Sequence, residues 1–468
     1  MSLRSESAAA RTESPLAENP AATEPPYPNP RYAWYVVGVL MLAYTISFID
    51  RQILNLLVGP IKRDLAISDT EMSLLAGLAF ALFYTFLGLP IGRMVDKRSR
   101  RGIIAIGIVV WSVFTAACGL ATKFWHLFLA RIGVGVGEAA LSPAAYSLVA
   151  DYFPPNRMGT AMGVYNMGIF VGSGLAYIFG GLVVGLVSGA EHTVLPIVGE
   201  VYAWQVVFFV VGLPGILMAL LLFTVREPVR RGIKAVRQAD GSLKAEDVPV
   251  REVVAYIKGN AGAVLCHNVG FALLALVGYG VATWIPSFFI RTHGWTPSEI
   301  GLAFGVVQLT AGVVGVIGGG WLGDVLKARG MSDGRLRVGI LAAFCGTPFS
   351  IALPFIGDGS LALAVSIGSV FFFTMCFGAA PAAIAEIMPN QMRGQASAVY
   401  LFIVNLIGLG LGPTAVALAT DFVFRDENMV GYSLALIGGV ALPMAGLVLL
   451  AGCRPYRASL ERVKAYTA

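Results

Sequence analysis

The chain has 468 residues, of which 57% are hydrophobic and only 13% charged, with a mean hydropathy of +0.75; a soluble domain carries roughly 25% charged residues, so this chain cannot cover itself in water and its solvent is a bilayer. The net charge of +6 would suit nucleic acid, but the basic residues sit in short loops between apolar runs, which excludes that partner. Cys118, Cys266, Cys345, Cys376 and Cys453 fall in or at the end of apolar runs with no CxxC or Cys/His cluster, which excludes a disulfide framework and a metal centre, and no cofactor is expected.

Residues 1–32 are rich in Ala, Pro, Glu and Ser and hold no apolar stretch, which predicts a disordered tail and not a cleaved signal peptide. Twelve runs then reach the ~20 apolar residues that a spanning helix needs. They are expected near 33–58, 71–95, 102–122, 125–151, 157–187 and 202–225, and after a polar connection near 260–290, 298–326, 336–357, 361–388, 392–420 and 430–452. This divides the chain into a six-helix bundle over 33–225, a linker over 226–259, a second bundle over 260–453 and a tail over 454–468. With the N-terminus in the cytoplasm, 25 of the 33 Lys and Arg fall on the cytoplasmic side. Only Lys62, Arg63, Lys123, Arg291 and Arg425 lie opposite, and Arg51, Arg93 and Arg131 lie within spans. That asymmetry places both termini inside. In the linker, Val248 to Ile257 can form a short amphipathic helix on the inner leaflet, acting as a tether.

An internal repeat relates the halves. A shift of 228 residues superposes Glu71 on Glu299, Gly77 on Gly305, Gly92 on Gly320, Asp96 on Asp324, Arg101 on Arg329 and Gly102 on Gly330. A shift of 235 superposes Ala150, Pro154, Gly159, Ala161, Val164 and Tyr165 on Ala385, Pro389, Gly394, Ala396, Val399 and Tyr400. The chain therefore reads as two parallel six-helix repeats.

Between spans 2 and 3, Gly92-Arg-Met-Val-Asp96-Lys97-Arg98-Ser-Arg100-Arg101 resembles the Gly-x-Leu-x-Asp-Arg-x-Gly-Arg-Arg signature of the major facilitator superfamily, departing at Met94 and Ser99. In span 4, Arg131-Ile-Gly-Val-Gly135-Val-Gly137-Glu138 resembles that superfamily's Arg-x-x-x-Gly-x-Gly signature. With the Asp50-Arg51 pair of span 1, the chain looks like a bacterial member of the Spinster family. The resemblance implies an all-α membrane protein with twelve transmembrane helices in two pseudo-symmetric bundles, whose spans 1, 4, 7 and 10 line a central cavity. It also implies proton-linked transport of lysolipids or sphingoid lipid phosphates in the bacterial inner membrane.

Charges inside a bilayer mark functional sites, because each costs on the order of 3 kcal/mol even on lenient scales. Asp50 lies about 25 Å along span 1, and Arg131 and Glu138 about 12 and 22 Å down span 4. With Arg51 they sum to zero, as a network requires. Asp50 is expected to carry the proton, because it adjoins Arg51 and its protonation would free that guanidinium for an anion; Glu138 is the alternative carrier. Arg51, Arg131 and Glu138 are expected to hold the substrate head. At the repeat positions stand Gly278, Tyr279, Ser366 and Phe373, and spans 7 and 10 are aromatic. Tyr279, Trp284, Phe373 and Met375 are therefore expected to line an apolar wall for an amphipathic tail. His267 is expected to be a satisfied interhelical donor. The signature supplies a conformational gate: Gly92; Asp96 against the start of span 11 near Gln391; Arg100 or Arg101 against Asp151; and Asp324 mirroring Asp96 against span 5.

A channel rarely needs two halves held by breakable ion pairs. An enzyme needs a nucleophile–base or metal set, and His126, His192, His267 and His293 are scattered. The expected protein is a monomeric alternating-access transporter, not an enzyme, whose partners are protons, lipid and a small amphipathic anion or zwitterion. A proton-coupled carrier of a drug or organic anion is the alternative.

Overall fold

The computed structural model describes residues 26–187, 192–195, 199–230, 235–237, 243–245, 249–389 and 392–467, so the expected N-terminal tail lies outside the described residues up to residue 25. Among the described residues, twelve helices are long and apolar enough to cross a membrane. Spans 1 to 6 are Pro30–Leu56, Asp69–Gly88, Arg100–Cys118, Phe124–Tyr152, Thr160–Leu186 and Ala203–Leu222. Spans 7 to 12 are Ala261–His293, Pro297–Ala328, Gly334–Phe355, Gly359–Glu386, Arg393–Phe424 and Glu427–Lys464. Helices satisfy every backbone polar group within one segment, which hydrocarbon demands.

The repeat is visible in specific contacts. Spans 2 and 8 both begin with a capping box, Ser68 with Glu71 and Thr296 with Glu299. At the other end of the molecule Arg100 pairs with Asp151 and Arg335 with Glu386, each partner moved by 235 residues. The halves meet along two seams where glycines remove the side chain that would keep backbones apart. A Cβ on Gly301 of span 8 would lie 2.9 Å from the Cα of Gly181 in span 5, and one on Gly77 of span 2 would lie 2.7 Å from the carbonyl oxygen of Leu409 in span 11.

The start of the first helix and the end of the last share one face with the linker's ends. Tyr32 donates to the Thr224 carbonyl at 2.8 Å and accepts from the Arg226 amide at 2.9 Å. Near the C-terminus Arg462 donates to the Gly259 carbonyl. Residues 454–467, expected as a tail, continue the last helix, which runs Val430–Thr467. They are held because Tyr456 donates to the Ala383 carbonyl at 2.9 Å and Ser459 bonds Asn260 at 2.7 Å. The linker contains a helix, Val250–Gly259, and a small hairpin pairing Ala235–Arg237 with Leu243–Ala245. A second hairpin, His192–Leu195 with Gly199–Tyr202, joins spans 5 and 6 on the far face.

Candidate functional site

Consecutive residues on an α-helix point about 100° apart, so Asp50 and Arg51 diverge. Arg51 Nη2 donates to Glu138 Oε2 at 2.5 Å. Ser47, one turn earlier and on the same face of span 1, donates to that same oxygen at 2.6 Å. Asp50 turns instead toward span 3, where Thr115 donates to its Oδ2 at 3.3 Å. Its Oδ1 has no hydrogen-bond partner among the described residues. The expected Asp50–Arg51 pair therefore does not form, and Arg51 belongs to Glu138.

Arg131 lies two turns from Glu138 on the same face of span 4, about 10 Å along the axis. Its Nε donates to the Leu75 carbonyl at 3.3 Å. Aromatic rings surround the two guanidinium groups. The Arg51 carbon lies 4.3 Å from the Phe80 centroid, 4.6 Å from Phe48 and 5.2 Å from Tyr84, and that of Arg131 lies 5.5 Å from Phe80. All four charged side chains are buried, Arg51 the least at 8% exposed. One ion pair, ring faces and single neutral hydrogen bonds compensate them only in part. Arg51 Nε and Arg131 Nη2 remain as donors, and Asp50 Oδ1 and Glu138 Oε1 as acceptors, with no partner among the described residues. Two guanidinium groups with unspent donors beside titratable carboxylates can hold an anion and exchange a proton.

The opposing wall is apolar. The Phe373 ring lies against Gly278, where a Cβ would collide with it, and its centroid is 6.3 Å from Tyr279 and 5.3 Å from Phe377. Phe377 meets Phe170 of span 5 at 6.1 Å, across the two halves. Behind Phe373 a cavity runs into the C-terminal bundle, lined by Leu274, Val277, Gly278 and Val281 of span 7, with Gln308 of span 8 as one of its few polar groups. Trp284 and Met375, expected on this wall, are instead packed between helices. Trp284 is fully buried and donates to the Pro413 carbonyl of span 11 at 2.9 Å, and the Met375 backbone abuts Gly319 of span 8. At about 100° per residue, Trp284 lies about 140° round the helix from Tyr279 and Met375 about 160° from Phe373. His267 contacts the Ala380 carbonyl through Nε2 at 2.9 Å, joining spans 7 and 10.

Of the contacts expected at the linker face, the one to Asp151 forms and the one from Asp324 is replaced. Arg100 pairs with Asp151 and also reaches Glu227 at 2.6 Å, whereas Arg101 donates to the Val225 carbonyl at 3.1 Å. Asp324 pairs with Arg335 at 3.0 Å within its own half and has no partner in span 5 among the described residues, because Arg335 at the start of span 9 stands closer. A side chain on Gly92 would meet nothing within 4 Å. The Asp96 side chain and Gln391 lie outside the described residues. Among the described residues, every ion pair on this linker face stays within one half or the linker start.

The far face is the reverse. Asp69 accepts from Arg291 at 2.7 and 2.8 Å and from Lys62 at 2.5 Å, while Lys62 also reaches Glu427 at 2.7 Å. Asp421 accepts from the Thr70 amide at 2.7 Å and from its hydroxyl at 2.6 Å. All of these except the Lys62–Asp69 pair tie the N-terminal half to the C-terminal half. The molecule is closed at the far face, and the linker face has no inter-half ion pair among the described residues. The sequence expectations omit this lock. A signal existed: Arg291 is the repeat mate of Arg63, in loops where acids and bases alternate.

Comparison with known proteins agrees with this architecture. The family model described as Major Facilitator Superfamily matches residues 40–413. A protein described as an MFS-type efflux pump from Mycolicibacterium smegmatis is 28% identical over 443 residues, covering 93% of this chain and 96% of its own. A hexuronate transporter from Bacillus subtilis is 25% identical over 425 residues, covering 90% and 94%. The crystal structure of a bacterial homologue of the human lysosomal transporter Spinster, inward-facing and unoccupied, superposes with a TM-score of 0.72 at 26% identity, covering 92% of this chain and 98% of that one.

Proposed function

The chain belongs to the Major Facilitator Superfamily, and from that premise we propose that it is an alternating-access transporter that couples protons to the movement of an amphipathic anion or zwitterion such as a lysolipid or sphingoid lipid phosphate. The single observation that carries this is the opposition of the two walls. The first half offers Arg51 and Arg131 with unspent donors, and the second offers the Phe373 ring and the apolar cavity behind it. A head bearing oxygen anions fits the first and a hydrocarbon tail fits the second. The Lys and Arg bias of the loops supports a cytoplasmic linker face in a bacterial inner membrane, and on that reading the closed far face corresponds to an inward-facing state.

Coupling runs through the Arg51–Glu138 pair. A proton on Glu138 removes the charge that holds Arg51 and lets the guanidinium take an anion; release of the anion returns Arg51 to an ionised Glu138. Each ligand therefore favours the other, as linkage requires. Asp50 does not contact Arg51, so a proton there leaves the pair intact; it is a second titratable site and not the switch.

Native mass spectrometry of protein extracted in a mild detergent tests the substrate class. Selective retention of a lysolipid or sphingoid phosphate, lost in Arg51→Ala, is the expected result. A second class, a carboxylate-bearing sugar acid, is favoured by the hexuronate transporter among the relatives. Competition by glucuronate with no retained lipid would establish that class and overturn the first.

A further inference from the structure

We propose that Phe80 is a positioning residue: its ring is a shared cation–π platform that holds Arg51 and Arg131 for an anion without consuming their hydrogen-bond donors. The inference rests on the proposal above that these arginines bind the substrate head. Phe80 is an uncharged residue of span 2, carries no signature motif, and is fully buried. It is the one ring with a guanidinium from each of two helices over it, Arg51 at 4.3 Å and Arg131 at 5.5 Å, among the described residues.

Its place is fixed from two sides. The Phe80 carbonyl lies against Gly135, where a Cβ would be 2.7 Å away, and Gly135 stands one turn beyond Arg131 on the same face of span 4. Tyr84, one turn along span 2, stacks on Phe80 at 5.2 Å with planes 21° apart and itself lies 5.2 Å from Arg51. The ring is therefore registered to Arg131 by backbone contact with span 4 and to Arg51 by the stacked Tyr84 ring.

The chemistry explains why a ring stands there. Two like charges in a low-dielectric site repel each other, and among the described residues only one has a carboxylate at bonding distance. A second carboxylate would settle the charge but would occupy the N–H groups. The negative face of an aromatic ring attracts a guanidinium through its quadrupole and leaves the N–H edge free. The donors without a partner, Arg51 Nε and Arg131 Nη2, are the consequence. The platform also lets Arg51 leave Glu138 during the cycle without losing all of its compensation.

Fluorinated phenylalanines provide the test, because fluorine withdraws the ring's negative face with little change of shape. Phenylalanine, 4-fluoro-, 3,5-difluoro- and 3,4,5-trifluorophenylalanine would be incorporated at position 80 of the full chain. The melting temperature of the ligand-free protein in detergent and the affinity for oleoyl lysophosphatidylglycerol would then be measured. The series would be repeated in a charge-neutral Asp50→Asn/Arg51→Met/Arg131→Met/Glu138→Gln background. The expected result is a stepwise fall in melting temperature that disappears in the neutral background, with affinity lost by about tenfold at three fluorines. A flat series, or equal slopes in both backgrounds, overturns the platform. If the series is flat while Arg51→Met abolishes binding of the probe, the platform fails and the substrate proposal stands. If the melting series is graded while Arg51→Met leaves probe affinity unchanged, the platform stands and the substrate proposal fails.

Discussion

Asp69→Asn should unlock the far face. Asp69 is fully buried and accepts two bonds from Arg291 across the boundary between the halves, and one from Lys62 within its own half. Asparagine keeps the volume but removes the charge and turns one acceptor into a donor facing cations. Breaking a buried pair costs about 3–5 kcal/mol when the partner is left alone. Here Lys62 and Arg291 both retain Glu427, at 2.7 and 3.6 Å, but that carboxylate is 61% exposed and compensates weakly. The net loss is therefore about 2–3 kcal/mol, charged only to the state in which the halves meet at this face. That converts to a shift of roughly 30- to 150-fold toward the far-open state. Spin labels at Lys123 and Ser360, exposed on the far face of opposite halves, would report it by pulsed electron resonance in lipid nanodiscs, in a cysteine-free background. A new long-distance population is expected in Asp69→Asn. Unchanged distances together with a lower melting temperature would refute the reasoning, since the network would then stabilise the fold without governing its state.

Glu138→Gln should keep or raise substrate affinity at neutral pH and abolish its pH dependence, whereas Asp50→Asn should retain that dependence; binding isotherms from pH 5 to 8 decide, and the reverse pattern would make Asp50 the switch. Arg131→Lys should reduce transport into proteoliposomes nearly as much as Arg131→Ala, roughly tenfold or more, because an ammonium lacks the fork that serves the Leu75 carbonyl and an anion together; full activity in the lysine variant would mean that charge alone matters. Acid should release the start of the linker. Burial pushes the Glu227 carboxyl up, but hydrogen bonds from Arg100, the Arg101 amide and Ser99 outweigh that and hold it below its usual 4.5. A depressed carboxyl stabilises above its unfolded value and loses that contribution as pH falls through the folded one, so hydrogen exchange around Arg226–Arg230 should accelerate only below about pH 4.5, and Glu227→Gln should remove the transition.

The N-terminal aromatic rings make the charge cluster more than an ion pair. Ser47 and Thr115 are the neutral residues that decide which acid faces which helix, and neither stands out in the sequence. Phe80 is equally plain, one phenylalanine among 27. The gate residues show the same division. Arg100 was identifiable from its signature, but whether Arg100 or Arg101 reaches Asp151 depends on which residue of the pair faces span 4 at the first turn of span 3.

Sequence alone determined the twelve helices, the two repeats and the four charges placed in the bilayer. Those follow from properties that are local or additive: apolar length against bilayer thickness, and the cost of an intramembrane charge. The last helix runs beyond its apolar stretch, because polar residues after Cys453 gain their stability from Asn260 and Ala383, which lie outside that segment. The partner of Arg51 was equally beyond reach. Adjacency in sequence suggested Asp50, but a helix sets neighbours about 100° apart, and the acid that meets the guanidinium is 87 residues away on span 4. Asp69 and Arg291 are separated by 222 residues and belong to different halves. Which of several acids and bases pair across a seam is fixed by how two bundles lean together, and that lean differs between the states of a transporter, so one sequence must encode more than one answer.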